Sequence, residues 1–516
     1  MNARVKKILL LLLMVALLFG SSQLQKSLNH DRDTLGLTHA AVLENAPPML
    51  AFTTVALGGF RGLISNFLWM RANDLQQDDK FFEAAQLADW ITKLEPTFPT
   101  VWVFQGWNMA YNISVKFKDF PDRWRWLERG IELLRDDGLR YNPNSVDIYR
   151  ELGWFFQHKM GANLDDANFY YKSEWAKEMN PFFGANGTNF ALLLNPPDAA
   201  AQTNAALLLE KYKIIPQFAK QVDDEYGPFD WRLPEAHAIY WGARGLEVAK
   251  ENPDKVKADD LIKLRRIIYQ SMLQAFHHGR ITIDPFTKNY SLGPNLDLTA
   301  HVNAAYEQMM NDDPGMSNNI ANAHRNFLRD AVYFLYENNR LAEANKWFKY
   351  LGDRYPNKAI IDGVPDSLPK NLTLDEYAVA VVQIDIGETS EERVTSAVQG
   401  LLTRAYYSLA VGEDDRYENL KRLANRVYQN YTSKTSKFRG NERIPLPPYQ
   451  TLNNAVMRQL LDPQNGAPYA ARAELVTKLG LPSSLLETVA TTTNAVESVS
   501  TNAVPTNAVA PTNAVK

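Results

Sequence analysis

The sequence has no cysteine among its 516 residues and no excess of positive charge. Without cysteine there are no disulfides, no thiolate nucleophiles and no cysteine-ligated metals. A lipid anchor of the bacterial type is excluded as well, because it needs a cysteine just after the signal. The formal net charge is −4 and the pI is about 6.1. The charge balance therefore gives no support to nucleic acid as a partner.

Sequence motifs for enzyme or metal chemistry are also missing. We find no EF-hand loop, P-loop, dinucleotide fingerprint, HExxH or GxSxG. His277 and His278 are adjacent on a predicted helix, so their side chains point about 100° apart and do not easily share one ion. Glu235 and His237 suggest an acid–base pair, but residues two apart do not face each other on a helix. We therefore expect no catalytic residue, no metal, no cofactor and no enzyme activity.

Residues 1–22 combine a basic start with an apolar run. Arg4, Lys6 and Lys7 precede twelve uninterrupted apolar residues, Ile8–Phe19, as in a signal sequence. Twelve residues rise only about 18 Å in a helix, less than the roughly 30 Å hydrocarbon core, which favours a cleaved signal peptide. The absence of a good alanine-containing cleavage site favours an uncleaved anchor, and both alternatives stay open. Either way we expect export to a bacterial cell envelope, anchored in the inner membrane and facing the periplasm, or secreted to the periplasm after cleavage.

Residues 23–64 are interpreted as a juxtamembrane, amphipathic segment. An apolar stretch at 49–70 has the length of a membrane span, but two glycines and Arg61 interrupt it. A mid-span arginine costs at least about 2.5 kcal/mol. We therefore expect an entry into the folded part that lies near the membrane surface rather than a second span.

Residues 487–516 form a low-complexity tail. The sequence TNAV occurs four times, with no aromatic residue and almost no charge between the copies. Such a segment cannot bury enough apolar surface to offset the entropy lost on ordering. We expect a disordered C-terminal extension.

The remaining chain has helical periodicity and a recurring spacing. Between 65 and 435, apolar residues recur every three or four positions, and alternating strand-like runs are scarce. An aromatic residue follows a proline by six positions twice, Pro96 to Trp102 and Pro143 to Tyr149, and a glycine follows each aromatic by four. The prolines indicate helix ends, and the aromatic and glycine indicate the first helix of a next unit.

This spacing resembles the tetratricopeptide repeat, whose 34 residues form two antiparallel helices. Residues 65–98 fit one unit without insertion, with Pro96 at position 32. The second unit has 13 additional residues, which we assign to a loop around 116–123, and the third closes near Pro181. Positions 4, 8, 11, 20, 24 and 27 of the first unit are occupied by Leu68, Ala72, Leu75, Ala84, Ala88 and Ile91. The stretches LGGFRGLISNFLWMRAND (57–74), LADWITKLEP (87–96) and WNMAYN (107–112) are also similar to a poorly characterised group of membrane-anchored bacterial repeat proteins, which carries no established activity.

The resemblance implies an all-α, helical-hairpin solenoid with an N-terminal hydrophobic helix and a disordered tail. Tetratricopeptide-like repeats are expected at 65–183 and 325–435, an irregular helical region at 184–324 and a further helical segment at 436–486.

The repeat family also implies a binding groove. Positions 2, 5, 9 and 12 of each first helix line the concave surface of such arrays. The candidate groove residues at these positions are Trp69, Asn73, Gln76, Trp107, Asp147, Arg150, Trp154 and Gln157. Packing of the tryptophans against neighbouring helices is the competing interpretation.

The expected function is a scaffold that binds another protein or a peptide and is held at the membrane by its N-terminal helix. Repeat arrays present a long surface rather than chemistry. The alternative is an envelope glycan-binding protein similar to the SusD-like family, which is built on such repeats and stacks sugars on aromatic side chains. The missing cysteine speaks against it, because that family is normally lipidated.

Overall fold

The computed structural model describes residues 61–486 except 185, 284–289, 362, 387–390 and 436–445, and some helical residues between 14 and 28. The predicted tail at 487–516, and most of the predicted anchor and juxtamembrane segment, lie outside the described residues. Within the described residues, no helix is both long and apolar enough to cross a membrane.

The described chain is built almost entirely of helices. Twenty α-helices occur in chain order: α1 (Arg61–Gln77), α2 (Phe81–Leu94), α3 (Pro99–Trp107), α4 (Phe120–Glu132), α5 (Leu139–Tyr141), α6 (Val146–Trp154), α7 (Asn168–Phe183), α8 (Ala191–Leu194), α9 (Ala199–Tyr212), α10 (Pro216–Tyr226), α11 (Pro234–Glu251), α12 (Ala258–His278), α13 (Thr299–Asp312), α14 (Ser317–Glu337), α15 (Leu341–Arg354), α16 (Leu374–Ile386), α17 (Glu391–Ala410), α18 (Asp414–Thr435), α19 (Tyr449–Leu461) and α20 (Tyr469–Lys478). The all-α expectation is confirmed at this level. The chain forms two compact units, one with residues up to Phe155 and Glu247–Val256, the other with Phe156–Leu246 and residues from Lys257 on.

One short β-ribbon was not anticipated. Strands β1 (Arg280–Ile283) and β2 (Tyr290–Gly293) pair antiparallel, with Arg280 opposite Gly293. The ribbon lies in the region 184–324, where the repeat pattern is weakest. Gly279 ends the preceding helix, and two β-branched isoleucines in the next four residues favour a strand.

Consecutive helices pack in pairs. Helix α1 packs on α2, α14 on α15, and α17 on α18. In the first pair, five of the six residues at the predicted apolar spacing are buried, and the sixth, Leu68, is half-buried. The fully or almost fully buried members are Ala72, Leu75, Ala84, Ala88 and Ile91. The apolar stripe of each helix is therefore covered by its partner, as the periodicity requires.

The second unit of the repeat differs from the prediction in where its additional residues lie. The loop expected at 116–123 is mostly helical. Helix α3 continues through a π-helical segment, Asn108–Ile113, and a 3-10 turn that ends at Lys116, and α4 already begins at Phe120. A second π-helical segment, Leu133–Gly138, extends α4. The 13 additional residues therefore lengthen two helices rather than forming a loop, and each of these helices continues into a π-helical segment.

The close of the third unit also differs. Pro181 lies inside α7, which ends two residues later at Phe183. Proline is tolerated there because only the last turn would lose a hydrogen bond.

Candidate binding surface

The start of α3 is held in place by a shared carbonyl group. The Trp102 indole N–H and the Asn142 side-chain amide both donate to the carbonyl oxygen of Pro96, each at 2.8 Å. The Trp102 ring also stacks on Tyr141, with centroids 5.9 Å apart. Trp102 is 4% exposed. The proline–tryptophan spacing of the sequence therefore has a structural cause, and this tryptophan is part of the core.

The glycine four positions after Trp102 marks a close approach of two helices. A Cβ on Gly106 of α3 would stand 2.9 Å from Cγ of Leu134. Gly153, at the equivalent position of the next unit, is buried in α6. Helix packing therefore explains the glycine at position 106.

Three aromatic rings connect the surface to the core beside α3. Trp107 stacks on Tyr111, with centroids 5.5 Å apart and planes at 20°. Tyr111 meets Phe155 edge-on at 5.9 Å. Phe155 is fully buried, whereas Trp107 is 36% exposed. Trp107 is thus the outer end of an aromatic ladder, defined here as Trp107, Tyr111 and Phe155.

The candidate residues of α1 are partly engaged in packing. Trp69 is half-buried and lies 4.9 Å from Phe104 and 6.4 Å from Phe98, measured between ring centroids. Asn73 and Gln76 are half-buried on the same helix. Trp69 therefore fits the packing interpretation better than that of an open platform.

The candidate residues of α6 are one acidic, one basic and one aromatic side chain. Asp147 is exposed, and Arg150 and Trp154 are half-buried. The Arg150 guanidinium lies 3.3 Å from the Glu151 carboxylate. Burial raises the pKa of Glu151 to about 7, against the opposing effect of Arg150.

Gln157 takes no part in an open surface. It lies in the π-helical segment Phe155–Gly161 and is 3% exposed. Its side-chain amide donates to the Gln270 side-chain oxygen at 2.7 Å. The repeat resemblance assigned Gln157 to the groove, but this internal bond removes its amide from solvent.

A second aromatic group was missed by the sequence analysis. Phe82, Phe117 and Trp126 meet with ring centroids 5.8–6.4 Å apart, and the Arg129 guanidinium lies 5.4 Å from the Trp126 ring. Phe82 is 51% exposed. The three rings come from α2, the α3–α4 connection and α4, and no shared repeat position links them.

Three of the residues singled out in the sequence, Glu235, His237 and His277, are wholly or largely buried. His237 is fully buried, and its Nε2–H donates to the Trp231 carbonyl oxygen at 2.8 Å. Burial lowers the pKa of His237 to about 4 and raises that of Glu235 to about 7. His277 lies at the end of α12, with Nε2 3.5 Å from the Asp330 carboxylate. Throughout the described part of the chain, no three histidine, cysteine or acidic side chains are grouped so that they could hold a metal ion.

Comparison with known proteins leaves the family open. No protein-family model matches the chain, and no curated protein matches it.

Proposed function

We propose that the chain is an exported, membrane-tethered scaffold of tetratricopeptide-like helical repeats that binds another protein or a peptide. Support for the repeat comes from the first helix pair, whose predicted core positions are buried. The approach of Gly106 to Leu134 in the second unit adds to it. Stacked helix pairs of this kind leave an elongated surface for a partner.

Trp107 is the observation that carries the proposal. Its ring is exposed, yet its position is fixed by stacking on Tyr111, which in turn rests on the buried Phe155. A rigidly held tryptophan loses little conformational entropy when it binds, and tryptophan is enriched among the residues that dominate interface energies.

Charged groups on α6 give such a surface polar specificity. Asp147 is exposed, and Arg150 retains donors beyond its contact with Glu151 because a guanidinium carries five N–H groups. A partner with an apolar side chain for Trp107 and a polar or charged segment for α6 fits this composition. The proposed partner is therefore a protein or peptide.

The test is affinity capture with the full chain from detergent-solubilised envelope. The proposal predicts discrete proteins that are retained by the wild type and lost with Trp107→Ala. Retention that free sugar competes away would instead favour the SusD-like glycan-binding alternative. Capture that is unchanged by Trp107→Ala would contradict this surface as the binding site.

A further inference from the structure

Helix α1 has two apolar faces, and only one of them is covered. Its buried residues are Ser65, Ala72 and Leu75, on the side that packs against α2. At about 100° per residue, Leu63, Phe67 and Met70 fall together on the opposite side. These three side chains, called here the outer stripe, are 60–65% exposed.

Exposed apolar side chains are frequent in the part of the chain that begins with this helix. Of the eighteen large apolar side chains that are exposed between residues 61 and 486, nine lie between 61 and 120. Single exposed apolar residues are ordinary on a protein surface, but a contiguous group indicates a contact.

The sequence around the outer stripe indicates which contact this is. Residues 49–60, directly before α1, contain no charged residue, and the basic and apolar segment 1–22 lies further upstream. Exposed Arg71 lies on the same helix beside the stripe, and Asp74 marks its end. Interfacial helices place phenylalanine and leucine side chains among the lipid headgroups, and a neighbouring cation is attracted to anionic lipids. A fluid lipid surface adapts to the shape of the side chains that enter it, so three apolar side chains can be buried there without a matching protein surface.

We propose that the outer stripe of α1 docks on the lipid surface and thereby holds the first helix pair against the membrane. This inference rests on the membrane tether of the proposed function. It adds a second contact, in which Leu63, Phe67 and Met70 enter the headgroup region while Ala72 and Leu75 stay packed on α2.

The absence of cysteine makes a direct test practical, because a single introduced cysteine is labelled uniquely. The full-length Phe67→Cys chain is labelled with an environment-sensitive fluorophore and added to phosphatidylethanolamine–phosphatidylglycerol vesicles. Some of these vesicles carry nitroxide lipids. Leu164→Cys is the matched control, because Leu164 is an apolar side chain that is 74% exposed and lies on a turn rather than on α1. We expect nitroxide lipid to quench the probe at 67 severalfold more than the probe at 164. The additional changes Leu63→Ser and Met70→Ser should reduce that quenching.

Three other outcomes overturn the inference. Equal quenching at 67 and 164, with the chain still sedimenting with vesicles, contradicts docking but leaves the tether intact. A probe at 67 that neither nitroxide lipid nor aqueous iodide reaches shows that protein covers the stripe. A chain that does not sediment with vesicles refutes the tether and the docking together.

Discussion

Gly130 of α4 lies directly against the backbone of Gly106 of α3. A Cβ at position 130 would stand 3.0 Å from the Gly106 carbonyl oxygen, and a backbone atom cannot turn away as a side chain can. The two helices of this pair can approach so closely only because both positions are glycine.

We expect Gly130→Ala to destabilise the protein. Alanine normally gains about 1 kcal/mol over glycine inside a helix, but the overpacking it causes here costs roughly 1–3 kcal/mol. Gly400→Ala is the control, because Gly400 lies inside α17 with nothing within 4 Å of its missing Cβ. That variant should be stabilised by about 0.5–1 kcal/mol. Urea unfolding gives both values, and a stabilised Gly130→Ala would contradict the close approach.

Asn142→Ala should lower the unfolding free energy, because it removes the hydrogen bond that joins the end of the second unit to Pro96. Asn142 donates to the Pro96 carbonyl oxygen, 46 residues away, and to that of Gly138, four residues before it. Asn338 makes only the local bond, to the carbonyl oxygen of Phe334 at 2.8 Å. Both changes remove a local hydrogen bond. Asn142→Ala also removes the buried bond to Pro96, so we expect its unfolding free energy to fall by about 1 kcal/mol more than that of Asn338→Ala. Equal losses of unfolding free energy in the two variants would show that the Pro96 bond contributes nothing.

Glu235 should make stability depend on pH. Burial raises its pKa in the folded protein to about 7 from 4.5, so the folded state holds the proton more tightly than the unfolded chain does. The stability that this proton contributes is complete below about pH 4.5 and is lost as the pH rises through about 7; above that, the stability no longer changes with this group. Glu235→Gln should therefore match the wild type below about pH 4.5 and be more stable at about pH 8, by at most about 3 kcal/mol.

The control for that prediction is Glu210→Gln, because Glu210 is exposed on α9. The difference between the two variants isolates the effect of burying the carboxyl group at position 235. A Glu235→Gln profile parallel to that of the wild type would mean that Glu235 is ionised in the folded protein at neutral pH.

The periodic part of the sequence was sufficient to predict the helix pairs and their buried positions. The apolar spacing around Ala72 and Ala88 depends only on neighbouring turns of the same helix, so the buried face of each helix can be predicted from the local sequence alone. The role of Trp102 followed from the same spacing.

Features that depend on distant partners could not be predicted in this way. The bond from Gln157 joins it to a residue 113 positions away, so no local pattern placed its amide in the interior. The contact of Phe82 with Trp126 joins α2 to α4, 44 residues apart, at positions that no recurring spacing in the sequence connects. Most of the loop predicted at 116–123 is helical instead, because additional residues can lengthen helices as well as form a loop.

The central claim, that Trp107 binds a partner rather than stabilising the core, is tested by measuring stability and binding on the same variants. Trp90→Ala is the control, because Trp90 is 48% exposed on α2, away from the predicted groove positions. The account predicts that Trp107→Ala weakens capture of the partner by about 2 kcal/mol or more, while its unfolding free energy falls no further than that of Trp90→Ala. The Trp90→Ala variant should bind normally. A loss of about 3–5 kcal/mol in the unfolding free energy of Trp107→Ala, with binding lost only where the protein unfolds, would make Trp107 a core residue and contradict the account.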